Sequence, residues 1–223
     1  MTNRDRYPAT LLALFGVWFV VLGIAPHYRQ DWLLENLLVF LIVPLLIGTY
    51  RRLRFSNLAY TGIFAFLVLH EIGAHHPYSL VPYDAWAAQL TGGTVSDWFG
   101  FERNHFDRLV HFGYGICFAP ATLELFEAKA PPTGVWRFVL PLAFMNSHAV
   151  LYETLEWIAT AVFGGDLGAA YLGTQGDVFD AQKDMALAFT GSVIALVALL
   201  VLTRRRGSSS APGSSASASA REA

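Results

Sequence analysis

"LAYTGIFAFLVLHEIGAHHPYS", Leu58–Ser79, is the stretch that decides the fold. Its first half is a predominantly apolar run. Its second half sets His70, Glu71, His75 and His76 directly after that run. A soluble strand or loop has no use for so long an apolar stretch, whereas a membrane helix needs about 20 mostly apolar residues to cross roughly 30 Å of hydrocarbon. The segment therefore predicts a spanning helix, Phe55 to His75, that ends in a polar patch at one membrane face.

Five further segments fit the same description: Pro8 to Ala25, Trp32 to Tyr50, His105 to Phe126, Val135 to Phe163 and Lys183 to Thr203. The chain of 223 residues is 54% hydrophobic and 14% charged, against about 25% charged in soluble domains, so the composition agrees. The expected fold class is all-α, a polytopic membrane protein built as a six-transmembrane-helix bundle over residues 1–206. Length and the lack of alternation exclude β-barrel spans. Arg4 and Arg6 precede the first span as in a signal peptide, but the apolar stretch is long for that role and Pro26 follows Ala25, so it reads as a retained helix. Residues 207–223 read as a disordered low-complexity tail. The single Cys117 excludes a disulfide framework, and a formal charge of −2 excludes nucleic acid as a partner.

Arginine and lysine set the expected orientation. With the N-terminus inside, Arg4, Arg6, Arg51, Arg52, Arg54, Lys129, Arg137, Arg204, Arg205, Arg206 and Arg221 are cytoplasmic, and only Arg29, Arg103, Arg108 and Lys183 lie outside. This is a strong positive-inside bias with both termini cytoplasmic. Two outer loops are long, His76 to Asn104 and Gly164 to Gln182, and either suits a lid. The portion "YDAWAAQLTGG" reads as a short interfacial helix.

The same orientation brings ionisable groups of four helices to the outer side. Span three ends in Glu71 and His75. Span four opens with Asp107, Arg108 and His111, and span five ends with Tyr152, Glu153 and Glu156. Span six is entered through Asp177, Asp180, Lys183 and Asp184. Glu71/His75, Asp107/His111, Tyr152/Glu156 and Asp180/Asp184 are all i,i+4 pairs, so each shares a helix face. His70 and His75 lie about 140° apart at roughly 100° per residue and cannot both point inward. Spans one and two are expected to carry nothing comparably deep, although Glu35 lies in the first turn of span two.

Charges facing lipid cost several kcal/mol, so these groups should face one another, and clustered carboxylates require a cation among them. Arg108 and Lys183 are one source; a divalent metal (zinc, iron or manganese) is the other, and imidazole with carboxylate is its ligand set. The expected ligands are His75, Asp107, His111, Glu156, Asp180 and Asp184. Glu71, Glu153 and Arg108 are the expected catalytic groups, as general base or, for Arg108, as holder of a substrate phosphate or carboxylate. Each has a plainer reading. Glu71 and His75 can cap a helix end, and the pair lacks the two histidines at i,i+4 of zinc proteases. Arg108 can serve an ion pair with Asp107, Asp177 a loop cap, and His148 a hydrogen-bonded core position. His27, His76 and His105 read as interfacial.

The strings "HEIGAHHPYSLVP", "NHFDRLVHFGYG", "LYETLEW" and "LGTQGDVFDAQKDM" resemble, in this order and spacing, signature segments of the YjdF-like family of bacterial inner-membrane proteins. The resemblance implies a multi-pass bundle in the bacterial inner (cytoplasmic) membrane and no particular reaction. "DRLVHF" with the later acidic segments is also similar to the VanZ-like family, associated with glycopeptide-antibiotic tolerance. Arg108 departs from the lysine usual there, and residues 70–79 have no counterpart. That likeness implies cell-envelope chemistry without a mechanism.

Three functions fit these residues. One is a metal-dependent hydrolase or transferase acting on a lipid or cell-envelope substrate from within the bilayer. The second is a proton- or cation-coupled transporter, against which stand the one-sided cluster, the absence of an inverted repeat and an inner half offering only Glu124 and a few hydroxyls. The third is a non-catalytic structural or regulatory protein in which the cluster binds a metal or partner for stability.

Overall fold

The computed structural model describes residues 3–165 and 172–209, and among them every regular element is helical. In chain order these are α1 (Asn3–Gly23), α2 (Arg29–Glu35), α3 (Leu37–Thr49), α4 (Asn57–His75), a 3₁₀ turn (Tyr78–Leu80), α5 (Tyr83–Thr91), α6 (Val95–Phe99), α7 (Phe106–Lys129), α8 (Trp136–Phe163) and α9 (Asp180–Ser209). The short α5 falls on the loop helix expected from "YDAWAAQLTGG". Helix α9 runs three residues into the expected tail; from residue 210 on, the tail lies outside the described residues.

Five stretches are long and apolar enough to cross a membrane: Arg4–Gly23, Arg29–Thr49, Asn57–His75, Phe106–Lys129 and Asp180–Thr203. Helix α8, the remaining expected span, is 28 residues long, and Asn146, Ser147, His148, Glu153 and Glu156 dilute its apolarity. It nevertheless lies against α7 and α9, from the Arg137–Glu127 ion pair at one end to Glu153 beside His111 towards the other. The span across Arg29–Thr49 bends at Asn36, whose amide donates to the Trp32 carbonyl (2.9 Å) and separates α2 from α3.

Pairings at the helix ends show that successive long helices alternate in direction. At one end Arg54 pairs with Asp5 (2.9 Å), and Glu124 accepts from the Ser56 amide (2.7 Å). At the other the His27 amide donates to the His75 carbonyl (2.9 Å), and Arg103 pairs with Asp180 (2.6 Å). Helix α7 is the centre of the bundle, packed by α9, α4 and α8. Two close approaches require glycine: a Cβ on Gly62 would meet the Cys117 carbonyl, and one on Gly115 or Gly191 would meet the facing backbone of α9 or α7.

The core forms in layers along α7. Phe15, Ile63, Leu67 and Ala121 hold α1 and α4 to one side, and Ala119, Leu123, Met145 and Leu196 hold α8 and α9 to the other. Val81, Phe106 and Val110 seal the end that carries the polar groups. Outward faces are apolar, as at Val17, Val20 and Leu41, which is the inverse of a soluble surface.

Candidate functional site

The start of α7 organises the site. The Asn104 side chain accepts from the Phe106 amide (2.9 Å), which fixes where the helix begins. Asp107 then stands in the first turn and His111 one turn deeper, on the same face. His111 Nε2 lies 3.5 Å from Asp107 Oδ1 and 3.2 Å from Glu153 Oε1. The second contact is misaligned for a hydrogen bond, so Glu153 Oε1 stays unpartnered among the described residues. Asp184, in the second turn of α9, completes the group: one ligand atom each from Asp107, His111 and Asp184 lie within 4.8 Å of one another. Asp184 is 2% exposed, and its Oδ1 also has no partner among the described residues. A modest contraction would bring these atoms to the ~2.0–2.2 Å bond lengths of a transition metal.

A second carboxylate group adjoins this one through Asp107. Helix α2 begins at Arg29, ahead of the expected Trp32, and so carries Asp31 and Glu35 inside the bundle. The expectation that span two holds nothing deep is thereby corrected. Asp31 and Glu35 repeat the i,i+4 spacing of the other pairs, and that spacing was the overlooked signal. The Tyr152 hydroxyl donates to Glu35 Oε2 (2.9 Å), and Glu156 is buried one turn beyond Tyr152. Asp31, Glu35, Asp107, Glu156 and Tyr78 line a cavity of about 10 Å³, roughly the room of a single water.

Tyr78 lies outside the helices that span the membrane, and burial, with Glu35, Asp107, Glu156 and Glu71 around it, pushes its hydroxyl well above the usual range. The hydroxyl forms a hydrogen bond with His70 Nδ1 at 2.6 Å. Its ring rests on Gly73, where a Cβ would come within 2.5 Å of it. Thus of the two histidines that cannot both point inward, His70 is buried. His75 sits at the α1 junction, its Nδ1 2.7 Å from the Leu22 carbonyl and away from the Asp107–His111–Asp184 group. Glu71 is wholly buried beside Trp32 and Asn36, whose side chains approach its carboxylate without well-aligned hydrogen bonds. His148, read as a core histidine, is exposed on α8 and bonds the Phe144 carbonyl (2.8 Å).

A cationic rim closes this end of the site. Arg108 pairs with Asp177 (2.6 Å) and Asp180 (3.4 Å) rather than with its neighbour Asp107. Arg103, in the loop before α7, pairs with Asp180 and donates to the Thr174 carbonyl (2.8 Å). Lys183 pairs with Asp177 (2.5 Å), not with Asp180 or Asp184. Asp177 also caps the approach to α9 by accepting from the Phe179 amide (3.1 Å). The Lys183 ammonium beside it, joined by that amide and Arg108, holds its carboxyl down at about 2. Asp180 is thus engaged by arginines, while Asp107, Glu153, Glu156 and Asp184 crowd an interior around the His111 imidazole. Carboxylates exceed cations there, and the charge balance calls for a bound cation or retained protons.

The family described as "Predicted membrane protein (DUF2238)" matches residues 7–205. The chain is 32% identical over 199 residues to the inner membrane protein YjdF of Escherichia coli (strain K12), covering 88% of each. No solved structure matches. The alternating apolar helices and the extent of these matches agree: this is a multi-pass inner-membrane protein, and it belongs to the DUF2238 family and is related to YjdF.

Proposed function

We infer that the protein is a six-span, metal-dependent hydrolase or transferase acting on a lipid or cell-envelope substrate, with the site at the outer membrane face and both termini in the cytoplasm. The observation that carries this reading is the convergence of Asp107, His111 and Asp184, each with a ligand atom within 4.8 Å of the others. One imidazole with two carboxylates suits zinc, iron or manganese, and the unpartnered oxygen of Asp184 has a free lone pair for such an ion.

A bound ion would supply Lewis acidity and a water acidic enough to attack at neutral pH. The chain's own groups do the rest. Glu153 and Glu156 accept and return a proton beside the ligands, and Tyr152 orients Glu35 against them. Arg103 and Arg108 offer anion-holding forks at the rim once Asp177 and Asp180 yield. The water-sized cavity admits no headgroup, so substrate entry requires the rim pairs to open.

Glu153→Gln tests the role of the base. With metal reloaded, it should keep the ion and the fold while turnover of lipid phosphate esters falls about 10²–10⁴-fold. Unchanged turnover would remove Glu153 from the chemistry, and no turnover in the wild type on any lipid ester would favour the second reading. That reading is proton or cation transport. The continuation of carboxylates from Asp107 to Glu35 and Asp31 favours it, and ion flux in proteoliposomes would reveal it.

A further inference from the structure

At the opposite end of the bundle, α1 and α3 diverge and leave an apolar crevice of about 590 Å³, within the ~300–1,000 Å³ range of small-molecule sites. Ala9, Leu12 and Phe15 of α1 form one wall. Leu46 of α3 with Phe64 and Leu67 of α4 form the others. Asp5, Tyr50, Arg51 and Arg54 line its mouth. Arg54 is partly neutralised by Asp5 (2.9 Å) and lies 5.2 Å over the Tyr50 ring. Arg51 is exposed and has no hydrogen bond or ion pair among the described residues, and Arg52 follows it. The mouth therefore carries a net positive charge above a mostly apolar space.

We propose that this crevice binds an anionic phospholipid of the surrounding membrane, one acyl chain lying between α1 and α3 and the phosphate held by Arg51 and Arg54. Charge complementarity selects this occupant. A zwitterionic lipid would fill the same apolar space without answering the unpaired Arg51, and a second copy of the chain would bring its own cationic Arg51–Arg54 segment to the same mouth. The site lies at the other end of the bundle from the Asp107–His111–Asp184 group, so it stands or falls separately from the function proposed above.

The test is thermal unfolding of the full chain in detergent with added phosphatidylglycerol or phosphatidylcholine of identical chains. At lipid about 100-fold above its dissociation constant, phosphatidylglycerol should raise the midpoint by roughly 5 °C or more, and phosphatidylcholine by much less. Arg51→Gln should lose at least half of that shift. Arg52→Gln, next to the crevice but not lining it, should keep it. Ala9→Trp fills the space and should abolish the response. If that variant is too unstable to melt cleanly, native mass spectrometry of its folded fraction should show no retained phosphatidylglycerol. Equal shifts with both lipids, an undiminished shift in Arg51→Gln, or retained lipid in Ala9→Trp would overturn the proposal. So would a dimer that closes the crevice and ignores lipid.

Discussion

At the scale of single residues, the rim carboxylate Asp177 makes the clearest pH prediction. Its folded value, about 2, lies below the ordinary aspartate range, so its contribution to stability is complete above about pH 4 and is lost as pH falls through about 2. Asp177→Asn should therefore lower the unfolding midpoint by the same amount at pH 7 and pH 5, and the gap should close as the pH approaches 2. A gap still full at pH 2 would mean that Asp177 acts by loop capping alone. Gly73 makes a second, steric prediction. Gly73→Ala should displace the Tyr78 ring, break its 2.6 Å bond to His70 and destabilise by about 1–3 kcal/mol, read as a lowered midpoint. A midpoint equal to that of the wild type would show that the ring has room to move. Legibility at this scale was uneven. Asp107, His111, Glu153, Glu156 and Asp184 were readable because i,i+4 spacing and lipid avoidance both act within a helix. His75 was not, because which of two histidines five residues apart faces inward depends on the neighbouring helix. Here the α1 carbonyl of Leu22 took it.

At the scale of elements, helix existence followed from apolar length, and boundaries depended on polar punctuation that hydropathy does not weigh. The early start of α2 at Arg29 buried Asp31 and Glu35, and an Asn36 bend then separated it from α3. The contact of α7 with α9 rests on backbone proximity at Gly115 and Gly191, which the sequence marked only as small residues. Gly191→Ala should force these helices apart and cost about 1–3 kcal/mol, against little change for Gly48→Ala on α3, where a Cβ meets nothing within 4 Å. Because α7 and α9 carry Asp107, His111 and Asp184, the same variant should also weaken metal retention. Equal stability of the two variants would contradict this account of the packing.

For the whole molecule, the alternating helices place the Asp5–Arg54 and Glu127–Arg137 pairs at one end and the carboxylate cluster at the other. The excess of arginine and lysine at the first end predicts that the cluster faces outward. Reporters fused at either terminus should accordingly read as cytoplasmic, and one inserted at Gly92, in the α5–α6 turn, as external. The central claim concerns the cluster itself. Metal analysis of the purified full chain tests it most directly, comparing wild type with Asp107→Asn/Asp184→Asn and confirming each as folded and monodisperse. About one equivalent of zinc, iron or manganese in the wild type, lost in the folded variant, is the predicted result. Wild-type protein that stays metal-free after reloading, or a folded variant that keeps its metal, would contradict it.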